Sequence, residues 1–150
     1  MKARQPCLAV IGLVLLAAPA FAQQPSPVGR VKAVSGSASI VRSGGTLPAE
    51  VGQPVFESDS LRTGEDGSIG VTLDDDTRVS LGPNSEVRLD TFRYAPAEGS
   101  VALAMQFLRG IAVYVSGQIA KLAPDSVRLE TPSAIVGVRG TTLAIHVVPE

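Results

Sequence analysis

Apolar residues recur at every second position through most of the chain beyond residue 22. Ile69, Val71 and Leu73 alternate with Ser68, Gly70 and Thr72, and Val79 with Leu81, then Val87 with Leu89, keep the same beat. Ile111, Val113 and Val115 alternate with Ala112 and Tyr114. Val127 and Leu129, then Leu143, Ile145 and Val147, extend the pattern almost to Glu150. Successive side chains of a strand point to opposite faces, so a period of two with one apolar face predicts half-buried β-strands. Segment 101–109 alternates through Val101, Leu103, Met105 and Phe107. Val101, Met105 and Leu108 would also stripe a short helix, but the segment is read as a strand.

Breakers support that reading. The chain holds 15 Gly and 11 Pro, of which all but one Gly and two Pro lie beyond residue 22. Each costs a helix interior about 1 to 3 kcal/mol, so long helices are excluded. Ser43-Gly44-Gly45, Asp66-Gly67 and Gly82-Pro83-Asn84 supply the positive or fixed φ angles of turns, while Pro124-Asp125 and Thr131-Pro132 start or stop strands. Strand starts spaced roughly 8–12 residues apart predict an all-β fold, as a single compact domain of short, antiparallel-type strands over 28–148.

The N-terminus has a different pattern. Met1-Lys2-Ala3-Arg4 is positive, Cys7 to Ala18 is an apolar run, and Ala20-Phe21-Ala22 offers small residues at a cleavage site. These are the three parts of a secretory signal, and the run falls short of the ~20 apolar residues of a membrane span. Residues 1–22 are therefore read as a cleaved signal peptide, 23–27 as an extended leader, and the destination as the periplasm, with release further out left open. Cys7 leaves with the signal, so no disulfide, thiol nucleophile or thiolate ligand is expected in the mature chain. No transmembrane segment is expected there either.

Charge narrows the function classes. The 13 Lys and Arg against 14 Asp and Glu give a formal charge of −1, and loss of Lys2 and Arg4 makes the mature chain more acidic. Nucleic-acid affinity comes from clustered cations, so a nucleic-acid partner is not expected. With 45% hydrophobic residues the chain is not disordered.

Reactive chemistry is sparse. His146 is the one histidine and falls in the phase opposite Leu143, Ile145 and Val147, as a solvent-facing strand residue would, so a Ser/His/Asp triad lacks its base. A zinc site lacks ligands. Asp74-Asp75-Asp76 is the densest acidic cluster. It reads as a solvated hairpin tip in preference to a loose calcium site, because alternating side chains do not converge. Phe92, Tyr94 and Tyr114 could stack on a sugar, though core packing explains Phe92 equally well. Arg139-Gly140-Thr141 could grip a carboxylate. A structural bend at Gly140 is preferred, with Val138 and Leu143 both inward. No catalytic residue, metal or cofactor is expected.

The order of these signals resembles the FecR-type periplasmic domain family. The resemblance rests on Gly29-Arg30-Val31 and Gly36-Ser37-Ala38, where an opening strand pair would turn. It continues through Val51-Gly52-Gln53-Pro54-Val55 and Asp59-Ser60-Leu61-Arg62-Thr63-Gly64. Gly67 to Leu73, Asp75-Asp76-Thr77-Arg78-Val79 and Leu81-Gly82-Pro83-Asn84-Ser85 follow. Thr131-Pro132-Ser133-Ala134 and Val138-Arg139-Gly140-Thr141 close the run, with Thr131, Pro132, Arg139, Gly140 and Thr141 as family-motif residues of a structural kind. Ser58-Asp59 stands where the family has Gly-Asp, and Asp75-Asp76 where Asp-Gly is usual, which predicts altered geometry at both turns.

The resemblance implies a solenoid-like or sandwich-like β fold that contacts other envelope proteins. Members that regulate iron uptake have a sigma-factor-binding helix and a membrane segment ahead of this domain. Neither is read here, so the sigma-regulator role is not expected to transfer. The last strand, close to Glu150, is expected at an exposed edge. The leading functional reading is a non-enzymatic envelope module acting through a protein partner, an accessory in signalling or assembly. A carbohydrate- or peptidoglycan-binding module is the alternative, an enzyme using Asp or Glu ranks last, and the oligomeric state is open.

Overall fold

The structure is a computed structural model that describes residues 22–139 and 142–149. Its strands are β1 (Gly29–Ser35), β2 (Ala38–Arg42), β3 (Gly45–Pro48), β4 (Pro54–Val55), β5 (Ser60–Thr63) and β6 (Ser68–Leu73). They continue with β7 (Arg78–Leu81), β8 (Glu86–Ala95), β9 (Ser100–Val115), β10 (Val127–Thr131), β11 (Ala134–Gly137) and β12 (Thr142–Val147), with one short helix, α1 (Gln118–Leu122). The strands form one sheet in the order β3-β2-β5-β8-β9-β7-β6-β1-β4, with β10 and β12 also on β9, and β11 on β10.

The all-β expectation holds. The solenoid-like or sandwich-like arrangement resolves into a single curled sheet, half of a barrel. The cause is β9, which at 16 residues is long rather than short and runs through both leaves of the curl. Its first part pairs with β8 and β10, through Tyr94↔Val101 and Leu129↔Met105. Its second part pairs with β7 and β12, through Leu81↔Ala112 and Ile145↔Ala112. The β9–β10 pair is parallel, which departs from the antiparallel expectation. A parallel return needs a crossover, and α1 with the 3-10 turn Pro124–Ser126 supplies it. That helix was not legible in the strand pattern. Gly36 and Ser37 likewise join the two leaves, since β1 pairs with β6 while β2 pairs with β5, so they do not close a hairpin.

The bend in β9 sits at Gly110, with φ +83. Leu108 is left over in the β8 register, which steps from Val87↔Phe107 to Glu86↔Arg109. The extra residue and the left-handed glycine together shift the inward phase by one. Before the bend, odd positions Leu103, Met105 and Phe107 are buried, and after it Ala112 and Tyr114 are. Ile111 and Val113 therefore point outward, 47% and 37% exposed, opposite to the face that uninterrupted alternation assigns. Elsewhere the expected faces are the buried ones, including Ile69, Val71, Leu73, Val79, Leu81, Val87, Leu89, Val127 and Leu129. One core fills the concave side, with Ile40, Leu61, Phe107 and Leu129 from one leaf meeting Val31, Val71, Val79 and Tyr114 from the other.

A Cβ on Gly110 would lie 2.2 Å from Ser85 Oγ and 2.5 Å from Asn84 O. Gly44 has a similar φ of +78 but open space around it. Gly110→Ala should therefore lose about 3 kcal/mol or more, and Gly44→Ala only about 1 kcal/mol from the backbone. Urea unfolding of both variants checks this, and equal losses would contradict it.

Candidate functional site

The buried polar residues of the described chain are Asp59, Thr63, Asp75, Thr77 and Ser85, and every one lies in a motif singled out from sequence. Three ties account for them. At the first, Asp59 accepts from Arg42 Nε at 2.8 Å, Arg42 Nη2 at 2.6 Å and Phe56 N at 2.9 Å. The Arg42 guanidinium also lies 4.4 Å from the Phe56 ring centre, and its hydrogen bond to Asp59 raises its pKa against the opposing effect of burial. This fork fastens β2 to the turn before β5. At the second tie, Thr63 Oγ1 donates to Gly82 O at 2.6 Å and accepts from Ser85 N at 2.9 Å. Ser85 Oγ in turn accepts from Ile111 N at 2.9 Å and lies 3.0 Å from both Pro83 O and Ile111 O. The turn before β8 is thereby clamped to the β9 bend.

The third tie corrects the reading of Asp74-Asp75-Asp76. Asp74 and Asp76 are exposed at the β6–β7 turn, as a solvated tip requires, but Asp75 is fully buried. Its carboxylate accepts from Thr77 N at 3.0 Å, Thr77 Oγ1 at 2.8 Å and Ile119 N at 3.2 Å, and its carbonyl accepts from Gln118 N at 2.7 Å. The negative group thus holds the start of α1. An acidic residue followed two positions later by Thr, ahead of a strand, is the local signal that could have revealed it. The Tyr114 hydroxyl is buried beside Ser116, Thr77 and Asp75. Burial raises its pKa and the Asp75 charge adds to the rise, partly offset by the neighbouring polar groups of Ser116 and Thr77.

Tyr114 is fully buried and Phe92 nearly so, while Tyr94 is half-buried against the core, so these three do not make a sugar-stacking face. His146 is exposed, opposite half-buried Leu143, Ile145 and Val147, as its phase predicts. Among the described residues no three His, Cys, Asp or Glu side chains gather into a metal-binding group. No helix among them is long and apolar enough to cross a membrane.

The family-motif residues are not gathered at one place. Thr131 Oγ1 accepts from Ala134 N at 3.0 Å, so Thr131 and Pro132 shape the β10–β11 turn. They line an open cavity of about 570 Å³ together with His146, Val147 and Val148. Arg139 is exposed and lines a different cavity, of about 540 Å³, with Asp125 and buried Val138. Leu143 packs partly against the core, so both Val138 and Leu143 face inward as expected. Gly140 and Thr141, like residues 1–21 of the expected signal peptide, lie outside the described residues.

With Asp59, Thr63, Asp75, Thr77 and Ser85 turned inward, the surface offers sheet edges. β3 is short and contains Pro48, β4 has two residues beginning with Pro54, and β11 has four. β12 is different. It pairs with β9 over six consecutive residues without a register shift, and among the described residues no strand lies on its other side. Ile111 gives both backbone groups to the β7 side, its N to Ser85 Oγ and its O to Gly82 N. Alternation then turns the N–H and C=O of Leu143, Ile145 and Val147 toward β9, and those of Thr142, Ala144 and His146 away from it.

The profile described as FecR protein matches residues 59–148. The chain belongs to the FecR protein family. No curated protein and no solved structure matches it. The matched span begins at Asp59 and contains all of the tie residues except Arg42 and Phe56. In this FecR domain both positions expected to hold glycine keep a left-handed backbone, with φ +72 at Ser58 and +67 at Asp76. A side chain in that conformation costs about 1 kcal/mol relative to glycine. Ser58→Gly and Asp76→Gly should each stabilise the protein by up to about 1 kcal/mol and raise Tm by a few degrees. Thermal melts measure this, and a fall in Tm for both would contradict it.

Proposed function

We propose that this FecR-family chain is exported to the periplasm and works there as a non-enzymatic module that binds another protein. Export is supported by the order of positive start, apolar run and Ala20-Phe21-Ala22. The observation that carries the binding reading is the open β12 edge. Its outward backbone groups are unpaired by any described strand, and the strand holds no Lys, Glu, Asp or Pro. Sheet proteins usually protect such an edge with charge, proline or a bulge, and modules that recruit extended segments leave it bare. The buried polar residues of the signature, Asp59, Thr63, Asp75, Thr77 and Ser85, support the same reading from the other side, because they are spent on holding the curl.

Affinity capture from envelope extracts tests the proposal. Folded wild-type protein should retain a discrete partner that the Ala144→Pro variant does not. Ala144 projects its N–H away from β9, so proline removes an edge donor while sparing the β9 pairing. Equal capture by both would place binding elsewhere, and capture of nothing by folded bait would contradict the proposal.

A further inference from the structure

We infer that the β12 edge pairs with the β12 edge of a second copy, antiparallel about a two-fold axis at Ile145. The inference rests on the binding reading above and names the occupant of the same edge. Four features of the strand fit itself. Residues 142–149 carry no Lys, Arg, Asp or Glu, so two copies approach without like-charge repulsion across the pair. Centred on Ile145, the pairing sets Leu143 opposite Val147 of the second copy and Ile145 opposite its counterpart. These are the half-buried side chains on the core face, so the apolar face continues from one molecule into the next. The other face pairs Ala144 with His146, the residues whose backbone groups point outward and are free to bond. On that outward face, Val113 lies beside Ala144 and Ile111 beside His146 in the β9 register, both exposed, so the join extends an apolar patch already present.

Symmetry decides the direction. A two-fold axis normal to the sheet sets the two edges antiparallel and keeps the core faces on one side, whereas a parallel pair would turn the core face of one copy toward the outward face of the other. A single strand pair is a small contact beside the roughly 1,200 Å² at which specific stable interfaces begin, so the dimer should dissociate on dilution.

Cysteine pairing tests the register in the full chain carrying Cys7→Ser, where an introduced thiol has no native competitor. Ile145→Cys brings the two thiols directly opposite each other and should form an intermolecular disulfide at least ten-fold faster than Ala144→Cys, whose thiols are offset by two residues. Sedimentation of the wild type should show the mass rising from monomer toward dimer with concentration. Ala144→Pro should remain monomeric with an unchanged circular dichroism spectrum. Wild type that stays monomeric at millimolar concentration, or equal cross-linking at 144 and 145, overturns the inference. If the wild type stays monomeric while Ala144→Pro still abolishes envelope capture, the edge serves another protein and only the second-copy claim falls. Self-association without capture has the opposite consequence: the dimer stands and the binding of another protein falls.

Discussion

The curl of this protein depends on the bend of β9 at Gly110 and the Ser85 hydroxyl that occupies its inside. A strand of this length would otherwise continue a flat sheet, whose apolar face one layer cannot cover. The left-handed glycine and the unmatched Leu108 turn the strand, and Ser85 Oγ takes the Ile111 N–H that the bend removes from the ladder. The first part of β9 then serves β8 and β10 while the second serves β7 and β12. Both leaves can face one core only because this strand belongs to each.

The other polar ties do similar work at the remaining turns. Asp59, Thr63, Asp75 and Ser85 each replace a missing ladder bond or hold an incoming segment, and each is buried with its partners in place. Hydrogen bonds to a buried charge contribute about 1.5–3 kcal/mol, and removing one partner exposes the full desolvation penalty of the other. Such ties can do part of what disulfides do in small secreted domains. They also account for the polar letters of the family signature between Asp59 and Ser85.

The sequence made the strands legible because alternation is local, and the faces of β6, β7, β8, β10 and β12 follow from it directly. It misassigned Ile111 and Val113 because a phase shift depends on a bend that no single residue announces. Gly110 is one of many glycines, and only its contact with Ser85, 25 positions earlier in the chain, shows what it does. Asp75 was read as solvated for the same reason: its partner Ile119 is 44 residues away. Helix α1 was missed because five residues hold too little periodicity to be seen. The open edge at β12 was foreseen from chain order, but its lack of protection is apparent only beside β3, β4 and β11.

Native-state hydrogen exchange along β9 tests the central claim most directly. If one continuous strand held by Ser85 joins the leaves, the Ile111 amide and those of Phe107 and Tyr114 on either side should exchange in the slowest class, with one common opening free energy. Rapid exchange at Ile111, with the two halves of β9 opening at separate free energies, would show leaves that fold independently and contradict the account.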